Sequence, residues 1–497
     1  MSAASIKAAA AKGVRWNGLA TGSRIFFLTV RTAILARLLG QRDFGLASMV
    51  NVVLGYAQTY VDLGLSSSVI QKQEQDPDRL STLFWMNMIA GLVSGIVLAA
   101  LQTPIALLFK EPELAIFIPA AALQLPIAAL GQQSEALFQR DLRFKLVAVV
   151  QILSDALSTL ASFLLALRGH GAWSLVLGSL VGVTVYNLGL FLLALRHWPV
   201  RFVFQPNTIK AHLRFGAYQL ANINVGFLTG NMDSVLVGRL IGAEALGVYS
   251  LALRITQTSR RYINPVIAKV AFPVFAKQKG DARKMADTLL SLQRSLAHMN
   301  VPLIVGLFVV SPLLIPLVYG ENWSSAVPLL KVLCVVALLQ GVSGPTQFVR
   351  TALGHVRFNF HWTWITGVVY ALAMWAAASH GLMAMVIART ALNFVVGLAL
   401  IILTLRFLGT GPAGFFRTLR VPLLASAVMA GAVYATMALT ASWPRLVQLL
   451  LAIVVGAVTY LGVSARFDRE FLERGVRLLL GLESRAQPRK DVTPPSA

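Results

Sequence analysis

Residues 37–48 read RLLGQRDFGLAS, and residues 239–250 read RLIGAEALGVYS. At an offset of 202, Arg37, Leu38, Gly40, Gly45 and Ser48 fall on Arg239, Leu240, Gly242, Gly247 and Ser250. Leu39 falls on Ile241 and Phe44 on Leu246. In both places the stretch separates two long apolar blocks. One turn, written twice, points to a chain built from two copies of the same helical plan.

The blocks on either side fix the class. The chain is 57% hydrophobic and 13% charged, with a mean hydropathy of +0.70. A soluble domain carries roughly 25% charged residues. A run of about 20 apolar residues spans the hydrocarbon core as a helix, and such runs fill the sequence from Gly13 to Val463. The expected fold is an all-α polytopic membrane protein. About fourteen transmembrane helices are predicted near 14–38, 43–65, 81–106, 114–137, 145–168, 171–195, 212–238, 243–266, 286–316, 324–349, 358–379, 382–405, 416–440 and 443–465. The repeat offset covers six of these segments, an even number. The two copies therefore run in the same direction, related by a pseudo-twofold along the membrane normal. Parallel repeats of this kind are a transporter plan with the substrate site at their interface. The expected domains are an N-lobe over 1–200 (helices 1–6), a C-lobe over 201–405 (helices 7–12), two further helices over 406–465 and a basic cytoplasmic tail over 466–497.

The net charge of +23 invites a nucleic-acid reading, but its distribution argues otherwise. With the N-terminus in the cytoplasm, most basic residues gather on the inner side, among them Arg140, Arg143, Lys145, Arg196, Arg260, Arg261, Lys269, Arg466 and Arg469. Few fall outside, Arg37, Arg42, Lys110 and Arg239 among them. This is the positive-inside pattern of a multi-pass protein with both termini cytoplasmic. No nucleic-acid partner is expected; membrane lipids are. The N-terminal stretch lacks a cleavable signal pattern and is expected to persist as a short interfacial helix. The single Cys334 permits neither an intrachain disulfide nor a cysteine metal cluster, so neither a metal nor another cofactor is expected. The pair Asp76 and Asp78 in QEQDPDR reads as a solvated loop.

Charge inside the segments carries the functional signal. Arg24 and Arg31 are seven residues apart and share one helix face. An arginine at the bilayer centre costs about 2.5–3.5 kcal/mol on insertion scales, so two on one face call for a polar cavity or partners. At the repeat offset Arg31 falls on Asp233, within a stripe of Gln219, Asn222, Gly226, Thr229 and Asp233 at 3-4-3-4 spacing. Segment five adds Gln151, Asp155, Ser158 and Ser162 on one face. Arg254, Arg294, Lys331 and Arg389 complete the set, the last two within reach of an interface by snorkelling. These groups read either as ion pairs locking helices together or as a cationic wall of a central cavity. Guanidinium pairs bidentately with phosphate, so the second reading implies an anionic, phosphate-bearing amphiphile as substrate.

At this point the chain resembles a known family. The stretches ILARLLGQRDFGL (34–46), DLGLSSSVIQK (62–72), QRDLRFK (139–145), LRFGAY (213–218), VGRLIGAEALGVYSLALR (237–254), INPVIAKVAFPVFAK (263–277) and PLVYGENW (316–323) are similar to those of Wzx-type polysaccharide flippases. These form the polysaccharide transporter family of the multidrug/oligosaccharidyl-lipid/polysaccharide superfamily, and the likeness is greatest to the colanic acid exporter branch. The resemblance implies two six-helix lobes plus two helices. It further implies alternating-access flipping of an undecaprenyl-diphosphate-linked oligosaccharide across the bacterial inner membrane. Lipid II flippases, more distant relatives, carry a Ser-Arg pair and an Arg-Asp-x-Ile-x-Ala-Arg run in their first helix. Here Arg31 and Arg37 match in spacing, Arg24 sits one residue early, and Thr32 replaces the acid.

The expected activity is thus transport, not catalysis, for exopolysaccharide or O-antigen assembly. Arg24, Arg31 and Arg254 are expected to hold the diphosphate or acidic sugars, and Asn222, Asn231 and Asp233 to contact sugar hydroxyls. Asp62, Asp155 and Asp233 are candidates for H+ or Na+ coupling. A polysaccharide polymerase and export machinery are the protein partners this implies. A drug/cation antiporter would call for an acidic cavity. A membrane polymerase or glycosyltransferase would call for a sizeable extramembrane loop bearing its catalytic groups, and none is visible.

Overall fold

The computed structural model describes residues 3–62, 69, 74–205, 210–278 and 280–469, with side chains described except at 3–14, 210–219, 221–223, 225, 259–270, 272, 273, 276 and 356. Most of the basic tail lies outside the described residues.

Every described element longer than three residues is helical. In chain order the helices are α1 (Ala3–Leu38), α2 (Gln41–Gln58), α3 (Pro77–Ala100), α4 (Gln102–Phe109), α5 (Leu114–Ala122), α6 (Gln124–Arg140), α7 (Phe144–Leu167) and α8 (Ala172–Leu195). They continue as α9 (Lys210–Leu240), α10 (Ala243–Lys277), α11 (Ala282–Tyr319), α12 (Ala326–Ala352), α13 (Val356–Ala377), α14 (Leu382–Phe407), α15 (Pro412–Leu439) and α16 (Arg445–Phe467). Each predicted segment coincides with one helix or, for the third and fourth, with a broken pair. The α5–α6 break lies between Pro119 and Pro126, whose missing N–H groups interrupt the ladder. Asp76, read as loop, starts α3: its side chain accepts from the Asp78 amide at 3.0 Å, with Pro77 at the first helical position.

Among the described residues, ten helices are long and apolar enough to cross a membrane. The expectation of fourteen is not reached on that measure, which α2, α9, α10 and α13 do not meet. Polar and charged groups lower the average in each, such as Asn224, Asn231 and Asp233 in α9. Leu446, Leu450, Ile453, Val454 and Val458 of α16 are large, apolar and exposed, as a lipid-facing helix surface requires.

The chain forms two compact units. The first comprises Met1–Thr258, Ile315–Leu333 and His355–Val396; the second comprises Ser259–Leu314, Cys334–Gly354 and Gly397–Ala497.

In the first unit the repeated turns of the sequence meet each other. Ser48 donates its hydroxyl hydrogen to Ser250 Oγ at 3.0 Å, two residues 202 apart. A Cβ built on Gly45 would lie 1.7 Å from the Ala243 carbonyl oxygen, and one on Gly247 would lie 1.9 Å from that of Gln41. Gln41 and Ala243 are themselves repeat equivalents, so each contact is the other with the two copies exchanged. That reciprocity is the mark of a twofold contact. It places the pseudo-axis between α2 and α10.

The arginines of the repeat follow the same rule. Arg37 donates to the carbonyls of Leu317 and Val318 at the end of α11, and Arg239 donates to Leu107 at the end of α4, 3.0 Å away. Each copy thus satisfies last-turn carbonyls of the other copy's third segment. Trp323, buried, donates its indole N–H to Ala36 O at 2.7 Å and meets the Phe44 ring edge-on.

A seam of small residues joins α7 to α8. Ser154 donates to Gly182 O at 2.8 Å and Ser158 to Gly178 O at 2.7 Å. Small residues let membrane helices approach closely where no hydrophobic force drives them together.

In the second unit, Phe275, Met285, Leu289, Val349, Leu405 and Phe415 form an apolar core. Asp468, 4% exposed, accepts from Arg294 Nε at 2.8 Å and lies 3.0 Å from His298 Nε2. Burial works against its charge, but the bonds from Arg294 and His298 hold its carboxyl below the usual carboxylate range. A depressed carboxylate stabilises above its unfolded pKa of about 3.9 and loses that contribution as pH falls through the lowered folded value. The thermal stability of the purified protein is therefore expected to fall below about pH 4. Asp468→Asn should lower stability near neutrality and flatten this acid-side dependence, both read in a thermal-shift series across pH.

Candidate functional site in the first unit

Arg31 projects from the C-terminal third of α1 toward α7. Its Nη1 donates to Ser158 Oγ at 2.8 Å, and Ser158 is itself oriented by the Gly178 carbonyl. The small-residue seam therefore positions the guanidinium. From the other repeat, Arg254 of α10 reaches across to α1 and donates from Nη1 to Thr32 Oγ1 at 3.3 Å. Arg31 lies within electrostatic range of Arg254, cation toward cation, and of Asp155. Tyr319 is near Arg254. Thr32 is a neutral partner for an arginine.

Arg24 is exposed and lies within electrostatic range of Asp155, Glu135 and Tyr186. Asp155 accepts from Gln151 at 3.1 Å through Oδ1, while its Oδ2 is buried without a hydrogen bond. Glu135 accepts from Tyr186 and from Gln139, the latter at 2.8 Å, and is also near Asp62. The structure thus brings Arg24, Arg31, Arg254 and Asp155 into one cluster, with Asp62 at its edge. Glu135 and Tyr186 were not expected. Glu135 is the one charged residue of the 114–137 segment, and an ionisable group within an apolar block is a functional candidate by default.

The α9 residues fall elsewhere. Asp233, 5% exposed, forms an ion pair with Arg389 Nη2 of α14 at 2.9 Å and accepts from the Tyr249 hydroxyl at 2.6 Å. Arg389 therefore turns inward rather than snorkelling, its guanidinium 5.9 Å from the Tyr249 ring centroid. Thr229 lies against Gly367 of α13. Of the described members of the α9 stripe, Thr229 and Asp233 meet α13 and α14, and Gly226 meets open space. Asn231 is half-buried, donates to Phe227 O on its own helix at 3.0 Å, and lines an apolar cavity. The side chain of Asn222 lies outside the described residues. Among the described residues, no group of three or more His, Cys, Asp or Glu side chains is arranged to hold a metal ion.

Comparison with known proteins identifies the family and the fold. Residues 34–328 match the family described as "Polysaccharide biosynthesis protein". The teichuronic acid biosynthesis protein TuaB of Bacillus subtilis (strain 168) is 30% identical over 460 residues, covering 90% of this chain and 94% of that protein. The lipopolysaccharide biosynthesis protein WzxC of Escherichia coli (strain K12) is 31% identical over 352 residues, covering 70% of this chain and 71% of that one. Among solved structures, the lipid II flippase MurJ in an inward closed conformation superposes with a TM-score of 0.69 at 14% identity, covering 92% of this chain and all of that one. An inward-facing multidrug MATE transporter gives a TM-score of 0.60 at 13% identity, covering 78% and 94%. The fold is that of these transporters, and the chain belongs to the polysaccharide biosynthesis protein family.

Proposed function

We propose that this member of the polysaccharide biosynthesis family flips an undecaprenyl-diphosphate-linked oligosaccharide across the bacterial inner membrane, by alternating access, for exopolysaccharide or O-antigen assembly. The chain is a membrane transport protein, not an enzyme. One observation carries the reading: two arginines, one from each repeat, meet with neutral hydroxyl partners. Arg31 donates to Ser158 and Arg254 to Thr32, and the two guanidinium groups lie within electrostatic range of each other, with Asp155 also in range of Arg31. A diphosphate would offset the repulsion between the two cations, and the guanidinium fork matches its geometry.

In this reading Arg31 and Arg254 hold the diphosphate, and Arg24 meets phosphate or acidic sugars nearer the inner side. Asn222 is the amide assigned to sugar hydroxyls, whereas Asn231 donates to Phe227 O and lines an apolar cavity. Asp233 already holds Arg389 and Tyr249, so sugar or ion binding there requires that pair to open. Asp155, with one unbonded buried oxygen, is the favoured H+ or Na+ site, ahead of Asp62. Both termini are cytoplasmic, so the turns joined at Ser48 and Ser250 close the outer side. A polysaccharide polymerase receives the flipped unit.

Arg31→Ala is expected to reduce polymer export by roughly 10- to 100-fold, the loss of one charged hydrogen-bonded contact, at unchanged membrane abundance. Arg31→Lys should recover only part, because an ammonium keeps the charge without the fork. Export assayed beside an immunoblot of the membrane fraction decides it. Normal export by Arg31→Ala overturns the assignment.

A further inference from the structure

The first unit contains an apolar cavity of about 750 Å³ between α2, α3, α4 and α9. Its walls include Val53, Val93, Val97, Leu101, Leu228 and Val235. Val93, Val97 and Leu101 are each about half exposed, as befits an open apolar chamber rather than a packed core. At one end Tyr56, Tyr60 and Phe227 close together. The Tyr60 hydroxyl donates to Asn224 Oδ1 at 2.6 Å and lies 2.9 Å from the Tyr56 hydroxyl. The two tyrosines and Asn224 satisfy one another, and Ser94 and Asn231 are the other polar residues of an otherwise apolar lining.

Its position under the pseudo-twofold is informative. The seam between α1 and α10 holds Arg31, Thr32 and Arg254. Its repeat equivalent is the seam between α9 and α2, where the cavity lies. At the 202 offset Arg254 corresponds to Val52, which lines the cavity, and Thr32 corresponds to Ser234. One seam is cationic; in the other, Arg31's counterpart Asp233 is taken up by Arg389 and the cavity lining is mostly apolar. A hydrocarbon chain laid in the first would strip water from guanidinium groups without replacing their bonds. In the second, each methylene it buries is favourable.

We propose that this cavity holds the hydrocarbon chain of the transported lipid while its diphosphate engages the cationic seam. The inference rests on the flippase reading of Arg31 and Arg254, and its test separates the two. Binding to the purified full-length protein in nanodiscs is measured with two probes, farnesyl diphosphate and a long-chain polyprenyl diphosphate. Wild type should prefer the long chain. Val97→Trp, which fills the cavity, should weaken the long-chain probe by at least about tenfold and leave farnesyl diphosphate unchanged. Arg31→Ala should weaken both probes. Equal weakening of both probes by Val97→Trp, or no weakening of either, overturns the proposal while leaving the headgroup reading intact. Failure of both probes to bind wild type overturns the headgroup reading itself. Because tryptophan could disturb packing, a photo-crosslinking phenylalanine analogue at Leu101 provides a second measurement. A polyprenyl adduct supports the proposal, and adducts confined to phospholipid acyl chains sink it.

Discussion

Asp233→Ala should lower the stability of the folded protein by about 3–5 kcal/mol, the range for removing one partner from a buried ion pair. The carboxylate is 5% exposed and meets Arg389 at 2.9 Å. Tyr249, fully buried, donates to the same carboxylate at 2.6 Å. Alanine would leave a guanidinium and a hydroxyl desolvated together, and the tyrosine ring beneath Arg389 offers only a weak substitute. Asp233→Asn keeps an acceptor for Tyr249 but loses the charge, so it should fall between alanine and wild type. The double change Asp233→Ala with Arg389→Leu removes both ions and should recover much of the loss, since apolar replacements of buried pairs are often neutral. Thermal unfolding in detergent and the amount of protein in the membrane fraction give the answer. A stable Asp233→Ala protein that fails to export polymer would place this carboxylate at substrate instead.

Asp233 also shows where sequence stops and structure begins. Its burial in an apolar helix and its equivalence to Arg31 are both readable from residues. Its partner is not, because Arg389 lies 156 residues away and no local period encodes that distance. The α9 stripe is present as spaced, yet Thr229 faces α13 and Asp233 faces α14. Periodicity gives a face, not its neighbour. Glu135 escaped notice because averaging over a long apolar block dilutes one acid near its end. The breaks after Ala100 and Ala122 were invisible for a similar reason: hydropathy sums straight through a kink. By contrast the twofold plan was legible, since Gly45 and Gly247 recur at one offset. In the sequence the turn marks the symmetry. The structure makes it the contact through which the two copies touch.

That contact yields the second large effect. Gly45→Ala and Gly247→Ala are each expected to disfavour the closed packing of α2 against α10 by about 1–3 kcal/mol, the usual penalty of an extra methyl in a tight interior. The new Cβ atoms would approach the Ala243 and Gln41 carbonyl oxygens to 1.7 and 1.9 Å. Those atoms are backbone, so no rotamer change relieves the overlap and the helices must separate. Separation also breaks the Ser48–Ser250 hydrogen bond one turn away. The two sites share one interface, so their effects should not simply add. At about 3 kcal/mol the closed-to-open ratio falls roughly 100-fold. A disulfide between Ser48→Cys and Ser250→Cys, in a Cys334→Ala background, reports the closed packing directly. It should form readily with Gly45 in place and be largely lost with Gly45→Ala or Gly247→Ala. Gly22→Ala, whose Cβ would meet open space on α1, should crosslink like the parent. Undiminished crosslinking in Gly45→Ala would show that α2 and α10 accommodate a side chain there, and that the repeated glycines serve something other than this close approach.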